Sequence, residues 1–330
     1  MSKFHPVDIY RLTGDVYTRT DNHPAFEAGE ELALDNQLLE FFRNTSHLQD
    51  ITEAGAAWMQ AWPMRYHLSV QRANLLRPFA ALFHNKFILE IGAECGALTR
   101  FLGEAGGHVV ALEKNFTRAS IIAERCRDLP HITVVNDAFA TFACVDAFDI
   151  IIANGSPQFL SKSFDLLKED GILMMAMDNK MGLKYWAGIP ENHSGKAYAG
   201  IESRQVTQYG KEELQRLLEE AGFACNEYYF PFPDHKFPAV VLKEKALQVP
   251  GFKVGDLLLS NLDYVQDNWY APSFSLERAV KQVIDNGLAG HLANSFLVLA
   301  QKNVKQLTDD RLLAWSYSAQ RKKAYRKENI

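Results

Sequence analysis

The stretch Phe87-Ile88-Leu89-Glu90-Ile91-Gly92-Ala93-Glu94-Cys95-Gly96 constrains the fold of this chain more than any other. Its apolar run, with little polar alternation, reads as a strand buried on both faces, the habit of a central parallel strand. Gly92 and Gly96 then permit a tight turn that brings backbone close to a ligand, and Ala97 to Leu102 begin a helix. Strand, glycine turn and helix N-terminus together predict a nucleotide site at the carboxyl edge of a doubly wound sheet.

The glycine spacing is Gly-x-x-x-Gly, not the Gly-x-Gly-x-x-Gly that admits a pyrophosphate. Glu90 stands on the strand and Glu94 inside the turn, and two carboxylates there repel a pyrophosphate. They suit a ligand with an ammonium and a sulfonium centre, S-adenosylmethionine, and disfavour an NAD-dependent oxidoreductase. Three further strand ends agree. Gly107 to Leu112 ends in Glu113, about 20 residues beyond the first glycine, where a carboxylate accepts ribose hydroxyls. Ile132 to Val135 ends in Asn136-Asp137-Ala138-Phe139, a polar group beside an aromatic ring that suits adenine. Phe148 to Ala153 ends in Asn154-Gly155, where the transferring methyl is expected. The donor set read from the residues is Glu90, Gly92, Ala93, Glu94, Gly96, Glu113, Asp137, Ala138 and Asn154.

The 330 residues suffice for one large domain with extensions or for two small ones. A formal net charge of -5 argues against a chain built to coat nucleic acid. No apolar stretch reaches the roughly 18 residues of a membrane span, and the first 21 residues lack an apolar signal core. Cys95, Cys126, Cys144 and Cys225 show no paired spacing, which predicts reduced thiols in a cytoplasmic protein with neither a disulfide frame nor a zinc site.

In chain order, residues 1–30 read as an irregular arm and Glu31 to Arg43 as an amphipathic helix, so residues 1–70 form a helical cap. Ser69 to Phe83 reads as a helix bent near Pro78. The main domain spans 71–303 and includes Gly171 to Met177 as a fifth strand, Lys211 to Ala221 as a helix, Cys225 to Phe230 as a sixth strand and Ser295 to Ala300 as the last. Residues 178–210 have little periodicity and are expected to form an acceptor lid, and 235–290 an insertion. Residues 304–330 read as a basic helical tail.

These residues resemble the class I S-adenosylmethionine-dependent methyltransferases over roughly Asn74 to Lys302. A closer resemblance is to a bacterial group found with cell-surface polysaccharide genes, often fused to glycosyltransferases. It is carried by Tyr66-His67-Leu68-Ser69, Arg72 to Pro78, Leu89 to Ala93 with Cys95-Gly96, and Arg125 to Leu129. Gly182 to Tyr185, Glu191 to Gly195 and Tyr229 to Lys236 carry it further. The resemblance implies a Rossmann-like α/β sheet of seven strands, the last antiparallel, and a donor held by Glu90, Gly92, Gly96, Glu113 and Asp137. It also implies a sugar, sugar-nucleotide or lipid-linked glycan acceptor and a glycosyltransferase as partner or fused domain. This chain departs from the group at Glu94, where glycine is usual, and in the short Asn154 to Pro157 segment.

Transfer to a hydroxyl requires alignment of the two substrates and removal of one proton, most often by histidine. His193 in the lid is the first candidate for that base, ahead of His67 and His235. Asp178 and Asn179, just beyond the fifth strand, are placed to contact an acceptor. Two rival readings share the donor site: an inactive donor-binding scaffold, and an RNA or protein methyltransferase.

Overall fold

The computed structural model describes residues 7–21, 30–51, 55, 58–59, 62–155, 157–191, 194–202, 208–259, 272–303, 311–317 and 328–329. The chain divides into two compact units, residues 1–154 with 165–173, and residues 155–164 with 174–330.

The first unit is organised on β3 (Phe87–Ile91), whose five residues are all buried. It pairs in parallel with β4 (His108–Glu113) on one side and β6 (Phe148–Asn154) on the other. β4 in turn pairs in parallel with β5 (Ile132–Asn136). Unbroken burial on a strand with two parallel neighbours is what the apolar runs of all four segments require. The helices Ala97–Glu104 and Phe116–Arg125 follow β3 and β4, as in βα units. Helix Glu30–Asn44 forms where the sequence pattern places one. Its Leu38 and Phe42 join Leu48, Ile51, Met64, Leu68, Cys95 and Ile121 in one apolar cluster.

Several expectations in this unit are corrected. The N-terminal arm is not irregular throughout, because β1 (Tyr10–Thr13) and β2 (Val16–Arg19) make an antiparallel hairpin whose second strand adds in parallel to β5. Only Tyr10 of β1 is buried, so no alternating apolar pattern announces the hairpin. The segment Ser69 to Phe83 is not one bent helix. It is a pair of 3-10 turns, Val70–Leu75 and Arg77–Phe79, before the four-residue helix Ala80–Phe83. Pro78 cannot donate a helical hydrogen bond, and the Ser69 side chain caps Gln71 N.

The second unit holds residues 155–164 and the C-terminal part of β7 (Leu167–Asp178). The end of β7 neighbours β10 (Ser295–Gln301), which pairs antiparallel with β8 (Cys225–Phe232). The sheet continues antiparallel through β9 (Val240–Lys243), β11 (Ala314–Tyr317) and β12 (Glu328–Asn329). The described residues therefore hold twelve strands, where seven were expected. The five additions are β1 and β2 beyond β5, and β9, β11 and β12 beyond β8; they cover edges that would otherwise present unpaired backbone. The 304–330 segment contains strands at 314–317 and 328–329 where a helix was expected. The 178–210 segment is not simply a loop, since Leu183–Trp186 and Ala199–Glu202 are helical. No helix among the described residues is long and apolar enough to cross a membrane.

Candidate functional site

The turn after β3 is built by two glycines with different tasks. Gly92 has φ +68°, and a Cβ placed there meets nothing within 4 Å, so the turn is open at this point. Gly96 has φ +74°, and its Cβ would press on Ile122 at 3.3 Å; this glycine lets the turn close onto the following helix layer. Glu94 also takes a left-handed conformation, φ +51°. Gly92 N and Ala93 N both donate to Leu112 O, at 2.9 and 3.1 Å, which ties the turn to the end of β4.

Three carboxylates surround this turn in different electrical states. Glu90 is buried and accepts a 2.6 Å hydrogen bond from Thr99 Oγ1. Burial pushes its carboxyl up to about 7, against the smaller opposing effects of the Thr99 bond and Arg72. Glu113 is buried under the turn, accepting from Glu94 N at 2.8 Å and Asn115 N at 2.9 Å. Burial raises its carboxyl as well, although those two backbone bonds oppose it. Neither has a basic partner within 4 Å among the described residues. Glu94 differs. Arg72 donates to it at 2.7 Å and Tyr66 at 3.1 Å, with the Arg72 guanidinium 3.9 Å above the Tyr66 ring. Burial alone would raise Glu94, but Arg72, assisted by His67, brings it below the ordinary value.

Asp137 lies at the end of the third strand, as read from the sequence, but its carboxylate is occupied by the protein. Tyr10 donates at 2.6 Å, Thr141 at 2.6 Å and Ala138 N at 2.8 Å, with Arg19 at 3.7 Å. The side chain has no exposed surface, so Asp137 pins the N-terminal hairpin and does not present a free carboxylate for adenine. Ala138 N is spent on the same carboxylate. Asn154 is half-buried at the end of β6. Arg72, Tyr66 and Tyr10 were not in the sequence-derived set. Their partners lie 22, 28 and 127 residues away, a pairing that spacing does not reveal.

The second unit holds a different cluster. Asp178 ends β7 and accepts from Lys184 Nζ at 2.6 Å, with Lys236 Nζ at 3.7 Å and His235 Nδ1 at 3.8 Å. Lys184 also approaches Asp234 at 3.8 Å. Burial would raise Asp178, yet Lys184, Lys236 and His235 hold it well below the carboxylate range. Lys184 is raised although burial opposes this, chiefly by Asp178. Burial lowers His235 to about 4, so its ring is neutral at pH 7, and its Nδ1 has no hydrogen-bond partner. Asn179 is fully buried: its Nδ2 donates to His291 O and Ala293 O, both at 2.7 Å, and its Oδ1 accepts from Met181 N at 3.0 Å. That set positions the segment after β7 and leaves the amide committed to backbone. Asn294 completes it, accepting from Lys184 N at 2.9 Å and donating to Pro233 O at 3.0 Å. His193 lies outside the described residues.

No family model matches the chain, and no curated protein matches it. Solved structures do resemble it at low identity. One is a Thermotoga maritima SAM-dependent methyltransferase, possibly acting on histamine, at 14% identity and TM-score 0.41, covering 81% of this chain and 100% of that one. Another is phosphoethanolamine N-methyltransferase 2 of Haemonchus contortus, with S-adenosylhomocysteine bound, at 15% identity and TM-score 0.44. That match covers 81% of this chain but only 60% of the Haemonchus enzyme. A third is the [4+2]-cyclase SpnF, at 16% identity and TM-score 0.45, covering 72% of this chain and 83% of that one.

Proposed function

We propose that the first unit binds S-adenosylmethionine at the Gly92 to Gly96 turn and that the protein transfers its methyl group to an acceptor hydroxyl. The observation that carries this reading is the state of Glu90 and Glu113. Both are buried carboxylates beside an open glycine turn, and neither has a cation of its own among the described residues. Such groups favour a ligand that brings positive charge and hydroxyl donors, and they oppose a pyrophosphate. In this reading Glu113 takes ribose hydroxyls on the lone pairs its two backbone bonds leave over. Glu94 and Arg72 face the amino-acid end of the donor.

The bound donor supplies a methyl on a sulfonium, and the protein's task is alignment and disposal of one proton. The acceptor is read as a hydroxyl of a sugar, sugar nucleotide or lipid-linked glycan of surface polysaccharide synthesis, with a glycosyltransferase as partner or fused domain. That reading rests on the family resemblance. The Asp178, Lys184, His235 and Lys236 cluster supports a polar acceptor, with His193 as the proposed base and His235 as the described alternative. A cytoplasmic site of action accords with the cysteine usage.

One observation favours a second reading, an inactive scaffold. Glu94 is engaged by Arg72 and Tyr66, and Asp137 by Tyr10, so two expected donor contacts are already satisfied internally. Calorimetric titration of S-adenosylhomocysteine, followed by methyl-transfer assays on sugar nucleotides and glycolipids, separates the two. Binding with turnover supports the enzyme, binding without turnover on any acceptor supports the scaffold, and no binding removes both.

A further inference from the structure

Spacing along the chain argues against a zinc site, yet the fold brings three metal-ligating side chains of different kinds together. Asp35 comes from helix Glu30–Asn44, His67 from helix Trp62–Leu68, and Cys95 from the turn after β3. One ligating atom of each lies within 4.8 Å of the others, and all three residues are buried. They are 28 or more residues apart in sequence, so no short motif announces them.

We propose that Asp35, His67 and Cys95 form a buried site for a divalent transition-metal ion, zinc above all. The second observation is His67 itself. Its Nδ1 is buried with no hydrogen-bond partner, and an orphaned buried nitrogen costs about 1–3 kcal/mol unless something satisfies it. A metal ion bound through Nδ1 would do so without adding a hydrogen-bonding side chain. One imidazole, one thiolate and one carboxylate are the ligand types zinc takes, with bonds of about 2.0–2.3 Å. Tetrahedral geometry at those lengths separates ligand atoms by roughly 3.3–3.8 Å, so closure from 4.8 Å or less takes at most about 1–1.5 Å of movement.

The surroundings select the ion. Arg118 already pairs with Asp35 at 2.9 Å, and Arg125 donates to His67 O at 2.7 Å and Cys95 O at 2.9 Å. The one carboxylate already shares its charge with Arg118, so magnesium or calcium, which need several oxygen ligands, find too few here. A softer ion that ionises Cys95 gains a thiolate bond that oxygen-seeking ions do not, with the thiol proton released to solvent. Cys95 also belongs to the apolar cluster around Leu38, Phe42 and Leu68, a shell that limits solvent access to the ion. The ion ties both N-terminal helices to the turn that we assign to the donor, but the inference does not depend on that assignment.

Cobalt(II) titration of the metal-stripped full-length protein tests this, because a cobalt–thiolate bond gives a charge-transfer band in the near ultraviolet. One equivalent of cobalt is expected to bind with that band, and zinc to displace it. Cys95→Ser is expected to abolish the band. Asp35→Asn and His67→Gln are expected to weaken cobalt binding by more than the roughly 10–100-fold that loss of an outer-shell partner costs. Zinc is also expected to raise the unfolding temperature of the wild type and not of Cys95→Ser. The proposal is overturned if no stoichiometric band forms, or if Cys95→Ser retains it. Should Cys95→Ser fail to fold by circular dichroism, the other two variants decide. An unchanged cobalt affinity in both overturns the site.

Discussion

Two sites, the turn after β3 in the first unit and the cluster at the end of β7 in the second, treat their carboxylates in opposite ways. In the first, Glu90 and Glu113 are raised by burial and accept only hydroxyl or backbone hydrogen bonds. In the second, Asp234 is as deeply buried and Asp178 partly so, but Lys184, Lys236 and His235 hold both below the ordinary value. A carboxylate that brings its own lysine is electrically closed; one without a cation stores a penalty that a positively charged ligand can relieve. The contrast accords with the proposal that an incoming cation binds in the first unit, whereas the cluster of the second is charge-balanced from within.

The largest expected effect comes from unbalancing the second cluster. Lys184→Met leaves Asp178 and Asp234 buried with only Lys236 and His235 opposite, and should cost about 3–5 kcal/mol in denaturant unfolding. A loss below about 1 kcal/mol would mean that the pair is effectively solvated, as exposed pairs are.

Acidity should separate the two units next. Glu90 has a folded pKa of about 7 against an ordinary value of 4.5, so the native state holds the extra proton in that window. Its contribution to stability therefore falls as pH rises from about 4.5 through about 7, a shift corresponding to about 3 kcal/mol. Glu90→Gln should flatten that loss in urea unfolding followed across pH. The second unit behaves oppositely. His235 falls from 6.5 to about 4, so the unfolded state protonates first and stability is lost as pH drops through that range. Asp178 and Asp234, both depressed, extend the loss to lower pH. His235→Asn should therefore remove the part of that loss between about pH 6.5 and 4 and leave the Glu90 contribution unchanged.

Smaller effects belong to the turn. Gly96→Ala combines a left-handed backbone with pressure on Ile122 and should cost about 1–2 kcal/mol, more than Gly92→Ala, where the space is open. Glu94→Gly removes backbone strain of about 1 kcal/mol and loses a partly exposed ion pair worth a similar amount. Thermal unfolding should find that variant within about 1 kcal/mol of wild type.

The parts of the fold that were legible share one property: their burial is written in contiguous residues. β3, β4, β5 and β6 are apolar runs with buried neighbours, and the turn glycines punctuate them. β1 and β11 were not legible, because Tyr-Arg-Leu-Thr buries one residue and Ala-Trp-Ser-Tyr is too short to distinguish a strand from a helical turn. β9 lay hidden for the same reason inside a segment read as an insertion. In the candidate site, sequence placed the carboxylates at strand ends but not their electrical state. That state depends on Arg72, Tyr10 and Lys184, whose pairings follow from tertiary packing.

The measurement to make first is calorimetric titration of S-adenosylhomocysteine, in parallel with NAD, into wild type and Glu113→Gln. Binding of the homocysteine nucleoside but not of NAD is expected. The mutant should lose at least about 1 kcal/mol while remaining folded by circular dichroism. Binding of NAD alone, or equal affinity of wild type and Glu113→Gln for the nucleoside, would contradict the assignment of the first unit as the donor site.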